Sequence, residues 1–126
     1  MQMFHPKGMT ALHSRLPLVV QHVMVEVMVA DQDRFWAQVK KTSTCWLWEG
    51  PRRGDPAQPR PYGEYGFNGQ IVGAHRYALV LQLGRLIRPG YEACHSCDIH
   101  FCVRHLYEGT HQDNMDDQKR KRRRKV

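Results

Sequence analysis

Apolar positions in the first third of the chain change their spacing twice. Four valines between residues 23 and 29 occupy every second position, and this period of two favours an N-terminal strand or a loose extension. Asp31 or Asp33 can then cap a short helix over residues 34–39. Residues 45–48 alternate again, which predicts a strand with its two tryptophans on one side and Cys45 on the other.

Turn signals divide the second half of the chain. Asn68 and Gly69 separate two apolar segments, 65–67 and 70–72, and this dipeptide favours a type I′ hairpin turn. Apolar residues three and four apart over 74–83, followed by Gly84, predict an amphipathic helix. The rest of the pattern begins with a strand that ends at residue 95 and a loop rich in cysteine and histidine. A short strand over 106–108 follows, is broken at 109, and leads into a helix opened by a capping box at 110–113. We therefore expect an α+β fold.

The positive charge is concentrated at one end. The 126 residues carry a net charge of +7 from nineteen Lys and Arg against twelve Asp and Glu, yet seven of the cations form the run 119–125. The rest of the chain is balanced. A solvated cationic tail after a folded body favours contact with nucleic acid, and the alternative is a disordered solubility tail. A proline- and arginine-rich loop over 51–61 offers further phosphate contacts.

No membrane-spanning helix is predicted. The apolar stretch over 16–30 is interrupted by Gln21, His22 and Glu26, and it is shorter than the roughly twenty residues that a spanning helix needs.

Residues 94–114 contain three cysteines, four histidines and an asparagine. Thiolates and imidazoles two to five residues apart suit a tetrahedral zinc ion, and a leftover histidine and asparagine suit a second, harder metal. The four cysteines of the chain could instead form two disulfides in a secreted protein. Their position beside histidines favours reduced cysteines and a cytosol-like compartment.

Seven short motifs occur in an order that resembles one nuclease family. They are Asp33-Arg34-Phe35-Trp36, Cys45-Trp46-Leu47-Trp48-Glu49-Gly50, Tyr65-Gly66, Ala74-His75-Arg76, Cys94-His95-Ser96-Cys97-Asp98, His105-Leu106 and Gly109-Thr110-His111-Gln112-Asp113-Asn114-Met115. Together they resemble the HNH nucleases of the ββα-metal superfamily, in particular zinc-containing phage-type members and the related His-Cys box homing endonucleases. The resemblance implies a small zinc-stabilised ββα-metal domain over 31–118 with an additional β-hairpin and helix. Residues 1–30 would be an extension and 119–126 a basic tail.

The resemblance also implies roles for individual residues. His95 is similar to the general base that takes a proton from the attacking water, and its alternative role is that of a zinc ligand. Asn114 is similar to the ligand of a catalytic magnesium or manganese ion, and Arg76 to the arginine that contacts the scissile phosphate. Without the family, Asn114 would be a surface amide and Arg76 an ordinary surface cation.

Resemblance and ligand chemistry together indicate a structural zinc ion held by Cys45, Cys97, Cys102 and His105. Cys94 is a rival ligand, but zinc bound there would pull the neighbouring His95 away from its catalytic position. The chain departs from the family at three places. Only two residues, 103 and 104, separate Cys102 from His105, where the family usually has about two more, and Cys94 occupies a position where many relatives have an aspartate. Where many relatives have an asparagine that supports the loop carrying the base, this chain offers Arg104 or nothing.

These roles imply a metal-dependent endonuclease that hydrolyses phosphodiester bonds, with one catalytic metal ion and double-stranded DNA as partner. It would nick or cut as a monomer or homodimer, in the cytoplasm of a bacterial or phage-infected cell, or in the nucleus of a eukaryote. The alternative from another class is a zinc-stabilised nucleic-acid-binding module that has lost catalysis. A secreted, disulfide-bonded protein is a third interpretation.

Overall fold

The computed structural model describes residues 16–52, 63–97, 99 and 101–124. They form a small α+β structure with three helices and three antiparallel strand pairs, β1–β2, β3–β4 and β5–β6. The elements are α1 (Leu18–Trp36), β1 (Val39–Lys41), β2 (Trp46–Trp48), β3 (Glu64–Phe67), β4 (Gln70–Gly73), α2 (Ala74–Leu83), β5 (Tyr91–His95), β6 (Leu106–Thr110) and α3 (His111–Arg124). The α+β class is therefore as expected. Most of the loop predicted over 51–61 and the first fifteen residues of the predicted extension lie outside the described residues.

The predicted N-terminal strand is wrong, because the alternating valines belong to the long helix α1. Val23 and Val27 are exposed, whereas Met28 and Phe35 are fully buried; they lie about two helical turns apart on the inner face. Asp31 does not cap a new helix; within α1 its carboxylate accepts hydrogen bonds from the hydroxyls of Tyr65 and Tyr77. Of the short helix predicted over 34–39, residues 34–36 are the last turn of α1, and Val39 already begins β1. No helix in the described part of the chain is long and apolar enough to cross a membrane.

The core is an aromatic cluster centred on Phe35. Its ring stacks on Trp48 at 5.0 Å and on Tyr77 at 4.7 Å between centroids, and Tyr65 meets it edge-on at 5.0 Å. These four side chains come from α1, β2, β3 and α2, and all are almost completely buried. Aromatic pairs of this kind contribute stability beyond the area that they bury. Trp48 is thus a core residue, as the more common role of tryptophan in folded domains suggests.

The predicted hairpin and the helix after it are confirmed. Phe67 pairs with Gln70 across the turn, and Asn68 and Gly69 have φ angles of 53° and 78°, both in the left-handed region that a type I′ turn requires. Helix α2 covers residues 74–83, as predicted, and Gly84 ends it with φ 74°.

Strands β5 and β6 pair from Tyr91↔Thr110 to His95↔Leu106. Gly109 lies within β6 and does not break it. A Cβ there would lie 2.9 Å from the Tyr107 ring, 3.2 Å from the sulfur of Cys94 and 3.3 Å from Cβ of Asp113 on α3, so the missing side chain allows close packing on both the hairpin and α3. The capping box is confirmed: the Thr110 amide donates to Asp113 Oδ2 at 2.9 Å, and the Asp113 amide donates to Thr110 Oγ1 at 3.1 Å.

The basic run is not a separate tail as far as the structure describes it, because α3 continues to Arg124. Lys121 is only 14% exposed; its Nζ lies 3.0 Å from the Asp117 carboxylate and donates to the backbone oxygen of His95 at 2.6 Å. Lys119, Arg122 and Arg123 are exposed. The run therefore contains one cation that packs against the fold and others that face solvent.

Candidate metal centre and adjoining polar cluster

The four predicted zinc ligands meet where β2 contacts the turn between β5 and β6. The Trp48 amide donates to the Phe101 carbonyl at 2.8 Å, and the Val103 amide donates to the Trp46 carbonyl at 2.7 Å. These backbone bonds bring Cys45, which precedes β2, to the turn that carries the other three residues. The ligand atoms of Cys45, Cys97, Cys102 and His105 all lie within 4.8 Å of one another.

The separations within this Cys/His cluster fit a tetrahedral ion. Cys45 Sγ lies 3.9 Å from Cys97 Sγ, and His105 Nδ1 lies 3.6 Å from Cys45 Sγ and 3.4 Å from Cys102 Sγ. Zinc bonds of about 2.3 Å to sulfur and about 2.0 Å to nitrogen give tetrahedral edges of about 3.8 Å and about 3.5 Å. A disulfide would bring two sulfurs to about 2.0 Å, and all four cysteines are free thiols. The cluster is close enough to hold a metal ion and is compatible with structural zinc.

The thiols of the cluster differ in acidity. Burial, together with the neighbouring Cys102 and Cys97, raises the pKa of Cys45 to about 12. Burial also acts to raise the pKa of Cys102, but the backbone amides of His105 and Arg104 outweigh it and lower this pKa to about 7. Cys102 is thus the residue best prepared to be a thiolate, and a bound cation would displace protons from the others.

Cys94 lies apart from the cluster. Its side chain is buried on β5, where Sγ contacts the backbone oxygen of Glu92 at 3.7 Å, and burial raises its pKa to about 11. A buried thiol of this acidity behaves as a small apolar side chain. Of the two candidate sets of zinc ligands, one with Cys45 and one with Cys94, the fold brings together the set with Cys45.

The shortened loop between Cys102 and His105 leaves the hairpin intact. Val103 is buried, and Arg104 turns outward and donates to the carbonyl oxygens of Ser43 and Thr44 at 3.4 and 2.8 Å. Beside it, the Ser96 amide donates to the His105 carbonyl at 2.9 Å. The backbone pairing therefore continues from His95↔Leu106 to Ser96 and His105, next to the cluster.

His95 is the last residue of β5, and its ring lies nearly parallel to that of His75 on α2. The ring centroids are 5.6 Å apart and the planes differ by 19°. Burial, then the charges of His95 and Arg76, lower the pKa of His75 to about 3, so His75 is neutral at physiological pH.

Arg76 and Asn114 both interact with Glu92, a residue that the sequence did not mark as functional. Asn114 Nδ2 donates to Glu92 Oε1 at 3.2 Å, and His111 Nδ1 lies 3.0 Å from Glu92 Oε2. Burial lowers the pKa of Arg76, and the charge of Glu92 opposes that shift. The Nε of Arg76 is enclosed and has no hydrogen-bond partner among the described residues. No motif or ligand spacing in the sequence singles out this glutamate within its five-residue strand. Its contacts with Asn114 and His111 are therefore visible only in the fold.

The three residues predicted to be catalytic fall into two groups. Arg76 and Asn114 share Glu92, whereas His95 lies against His75. Glu92 and His95 are three positions apart on β5, so strand alternation directs their side chains to opposite faces. The two groups are nevertheless linked through α2, where His75 and Arg76 are consecutive and the charge of Arg76 acts on His75.

Comparison with models of protein families, with curated proteins and with solved structures finds no match to this chain.

Proposed function

We propose that this protein is a metal-dependent DNA endonuclease of the HNH, ββα-metal type that hydrolyses phosphodiester bonds. The observation that carries the proposal is the arrangement around the β5–β6 hairpin. Three residues of the Cys/His cluster lie in the turn of this hairpin directly after His95, Cys45 meets them from the start of β2, and α3 brings Asn114 back against the same hairpin. The arrangement combines a site for a soft ion with an amide oxygen suited to a hard one.

Zinc is the ion proposed for Cys45, Cys97, Cys102 and His105, because the cluster matches its bond lengths and ligand preference. Its contribution would be structural. It would join β2 to the hairpin and hold the end of β5 in place, since His105 precedes Leu106, the residue that pairs with His95.

His95 is the proposed general base that takes a proton from the attacking water, a task suited to an imidazole near neutral pH. Lys121 supports the strand end by donating to the His95 carbonyl. Arg76 is the proposed donor to the oxygens of the scissile phosphate, because the fork of a guanidinium suits two phosphate oxygens. Asn114 would hold a magnesium-type ion through its amide oxygen, and such an ion supplies positive charge to the phosphate and the leaving 3′ oxygen.

The DNA backbone would bind to the outer face of α3. Lys119, Arg122 and Arg123 are exposed there. Cations that contact phosphates release counterions, so affinity should fall steeply as salt increases. Lys121 is excluded from this surface by its contacts with Asp117 and His95.

A second candidate is a zinc-stabilised nucleic-acid-binding module without catalysis. The observation that favours it is that Glu92 and His95 are three positions apart on β5, a spacing at which strand alternation directs side chains to opposite faces. In that protein Arg76 and the exposed cations of α3 would grip phosphate, and no side chain would need to approach the scissile bond.

Cleavage of supercoiled plasmid with added magnesium or manganese tests the proposal. We would compare the wild-type chain with His95→Ala, each with its zinc content measured, and with His22→Ala as a matched control. The side chain of His22 is 76% exposed on α1, far from the hairpin in sequence. Cleavage should disappear in His95→Ala and persist in His22→Ala, with zinc content unchanged. Salt-dependent DNA binding by a folded, zinc-loaded wild type that does not cleave would favour the binding module.

A further inference from the structure

We propose that Glu92 is a positioning residue that fixes the orientation of the Asn114 amide. This inference rests on the proposed function, because it assigns to Asn114 the metal and to Arg76 the phosphate. Neither the motif order nor the ligand spacing assigns any role to Glu92.

The first step concerns the two ends of the Asn114 amide. Its nitrogen is a donor and its oxygen an acceptor, and only the oxygen can bind a hard cation. An ionised carboxylate accepts hydrogen bonds but donates none. Glu92 therefore selects the orientation in which Nδ2 faces it at 3.2 Å and the oxygen points away. Without Glu92, the two orientations of the amide would differ less in free energy.

The second step concerns what holds Glu92 itself. Its other oxygen, Oε2, lies 3.0 Å from His111 Nδ1 in the first turn of α3. Across the hairpin Glu92 pairs with Gly109, and a Cβ at that glycine would lie 3.3 Å from Cβ of Asp113. The lack of a side chain at 109 thus lets the first turn of α3 approach β5 closely enough for both contacts.

The third step concerns Arg76. A half-buried guanidinium is costly unless a negative charge or an acceptor compensates for its lost hydration. Glu92 supplies that charge, and it acts against the effect of burial on the pKa of Arg76. The same carboxylate therefore offsets part of the cost of burying the Arg76 charge. Residues that orient a ligand in this way commonly change metal affinity by about 10- to 100-fold when they are removed.

The experiment compares Glu92→Ala with Glu92→Gln in the full-length, zinc-loaded protein. A glutamine retains an oxygen that accepts from Asn114 Nδ2, whereas an alanine does not. The control is Glu49→Ala, at an exposed position after β2. Manganese binding is measured by electron paramagnetic resonance, and Asn114→Ala identifies the binding that depends on Asn114. The side-chain amide resonances of Asn114 are followed by NMR without added manganese.

We expect Glu92→Ala to weaken the Asn114-dependent manganese binding by about tenfold or more and to shift the amide resonances. Glu92→Gln should restore most of the affinity and a resonance position near that of the wild type. Equal loss in the two variants would make Glu92 a metal ligand and overturn the positioning role, and so would no loss in either.

Failure of the inference and failure of the proposed function give different results. A wild type that binds manganese through Asn114, responds to Glu92→Ala as expected and does not cleave DNA would contradict the nuclease alone. A wild type that cleaves DNA, with Glu92→Ala unchanged in manganese affinity and amide resonances, would contradict the positioning role alone. Absence of any Asn114-dependent manganese binding would overturn both.

Discussion

Replacing Cys45 with alanine tests whether the Cys/His cluster stabilises the fold by joining distant parts of the chain. Cys45 is the only one of the four cluster residues that precedes β2, and it lies 52 positions from Cys97 and 60 from His105. The other three cluster residues fall within nine positions of one another. A bound metal therefore closes a long loop through Cys45 alone.

The expected magnitude follows from the loop. A cross-link that closes 52 residues restricts the unfolded chain by an amount worth about 4 kcal/mol at 25 °C. A domain of this size has a total free energy of unfolding of about 5–15 kcal/mol. Loss of the Cys45 ligand should therefore remove a large share of the stability of the zinc-loaded protein while three ligands remain on the hairpin.

The assay is chemical denaturation of zinc-loaded and chelator-treated protein, with Cys94→Ala as the matched control. Cys94 is a buried cysteine outside the cluster, so its replacement has a packing cost of about 1 kcal/mol but should leave the difference between loaded and chelated protein unchanged. Cys45→Ala should reduce that difference by about 4 kcal/mol. A reduction of equal size in both variants would refute the role given to Cys45, and so would a wild type whose stability does not respond to chelation.

Three further substitutions test contacts that hold the hairpin and α3. The side chain of Glu108 is 5% exposed and lies between two arginines that lower its pKa to about 2, so its contribution to stability is present above about pH 4.5 and is lost as the pH falls towards 2. Glu108→Gln should therefore lower the free energy of unfolding by about 2 kcal/mol at pH 7, and a difference from the wild type that stays constant between pH 7 and pH 2 would contradict this. Thr110→Ala removes half of the capping box and should lower the free energy of unfolding by about 1 kcal/mol, whereas an unchanged denaturation midpoint would argue against the cap. Lys121→Ala removes the contacts with Asp117 and the His95 carbonyl and should destabilise the protein by about 2 kcal/mol, whereas Arg122→Ala should destabilise it by less than about 0.5 kcal/mol. Equal effects of the two substitutions on the melting temperature would mean that Lys121 behaves as an exposed surface cation.

Features with a local physical cause were predictable from the sequence. The hairpin depends on two residues that tolerate positive φ, and the capping box depends on two side chains three positions apart. The end of α2 depends on Gly84. The proximity of Cys97, Cys102 and His105 likewise depends on short spacing, and only Cys45 required a long-range contact that the ligand chemistry and the family resemblance suggested.

Features decided by distant contacts were not predictable in the same way. The valines of α1 favour a strand locally, but Phe35 stacks on rings from β2 and α2, and Asp31 accepts from two tyrosines that lie more than thirty positions away. Tertiary packing of this kind outweighs a weak intrinsic preference. Lys121 belongs to a run that reads as a solvated tail, yet a carbonyl at the end of β5 and a buried aspartate on its own helix give it partners.

The end of β5 is where these local and distant contacts combine. His95 pairs with Leu106, the next residue after the cluster ligand His105, and the Ser96 amide donates to the His105 carbonyl. Lys121 of α3 also donates to the His95 carbonyl. The backbone of His95 is thus held both by the turn that carries the Cys/His cluster and by α3. If the cluster holds zinc, removing that ion should disturb His95 before it disturbs Asn114, whose amide contacts Glu92 within the strand. When a chelator is added in steps to protein that remains folded, the NMR resonances of the His95 ring should shift before those of the Asn114 amide. An earlier shift of the Asn114 amide would mean that the turn carrying the Cys/His cluster does not hold the end of β5 in place.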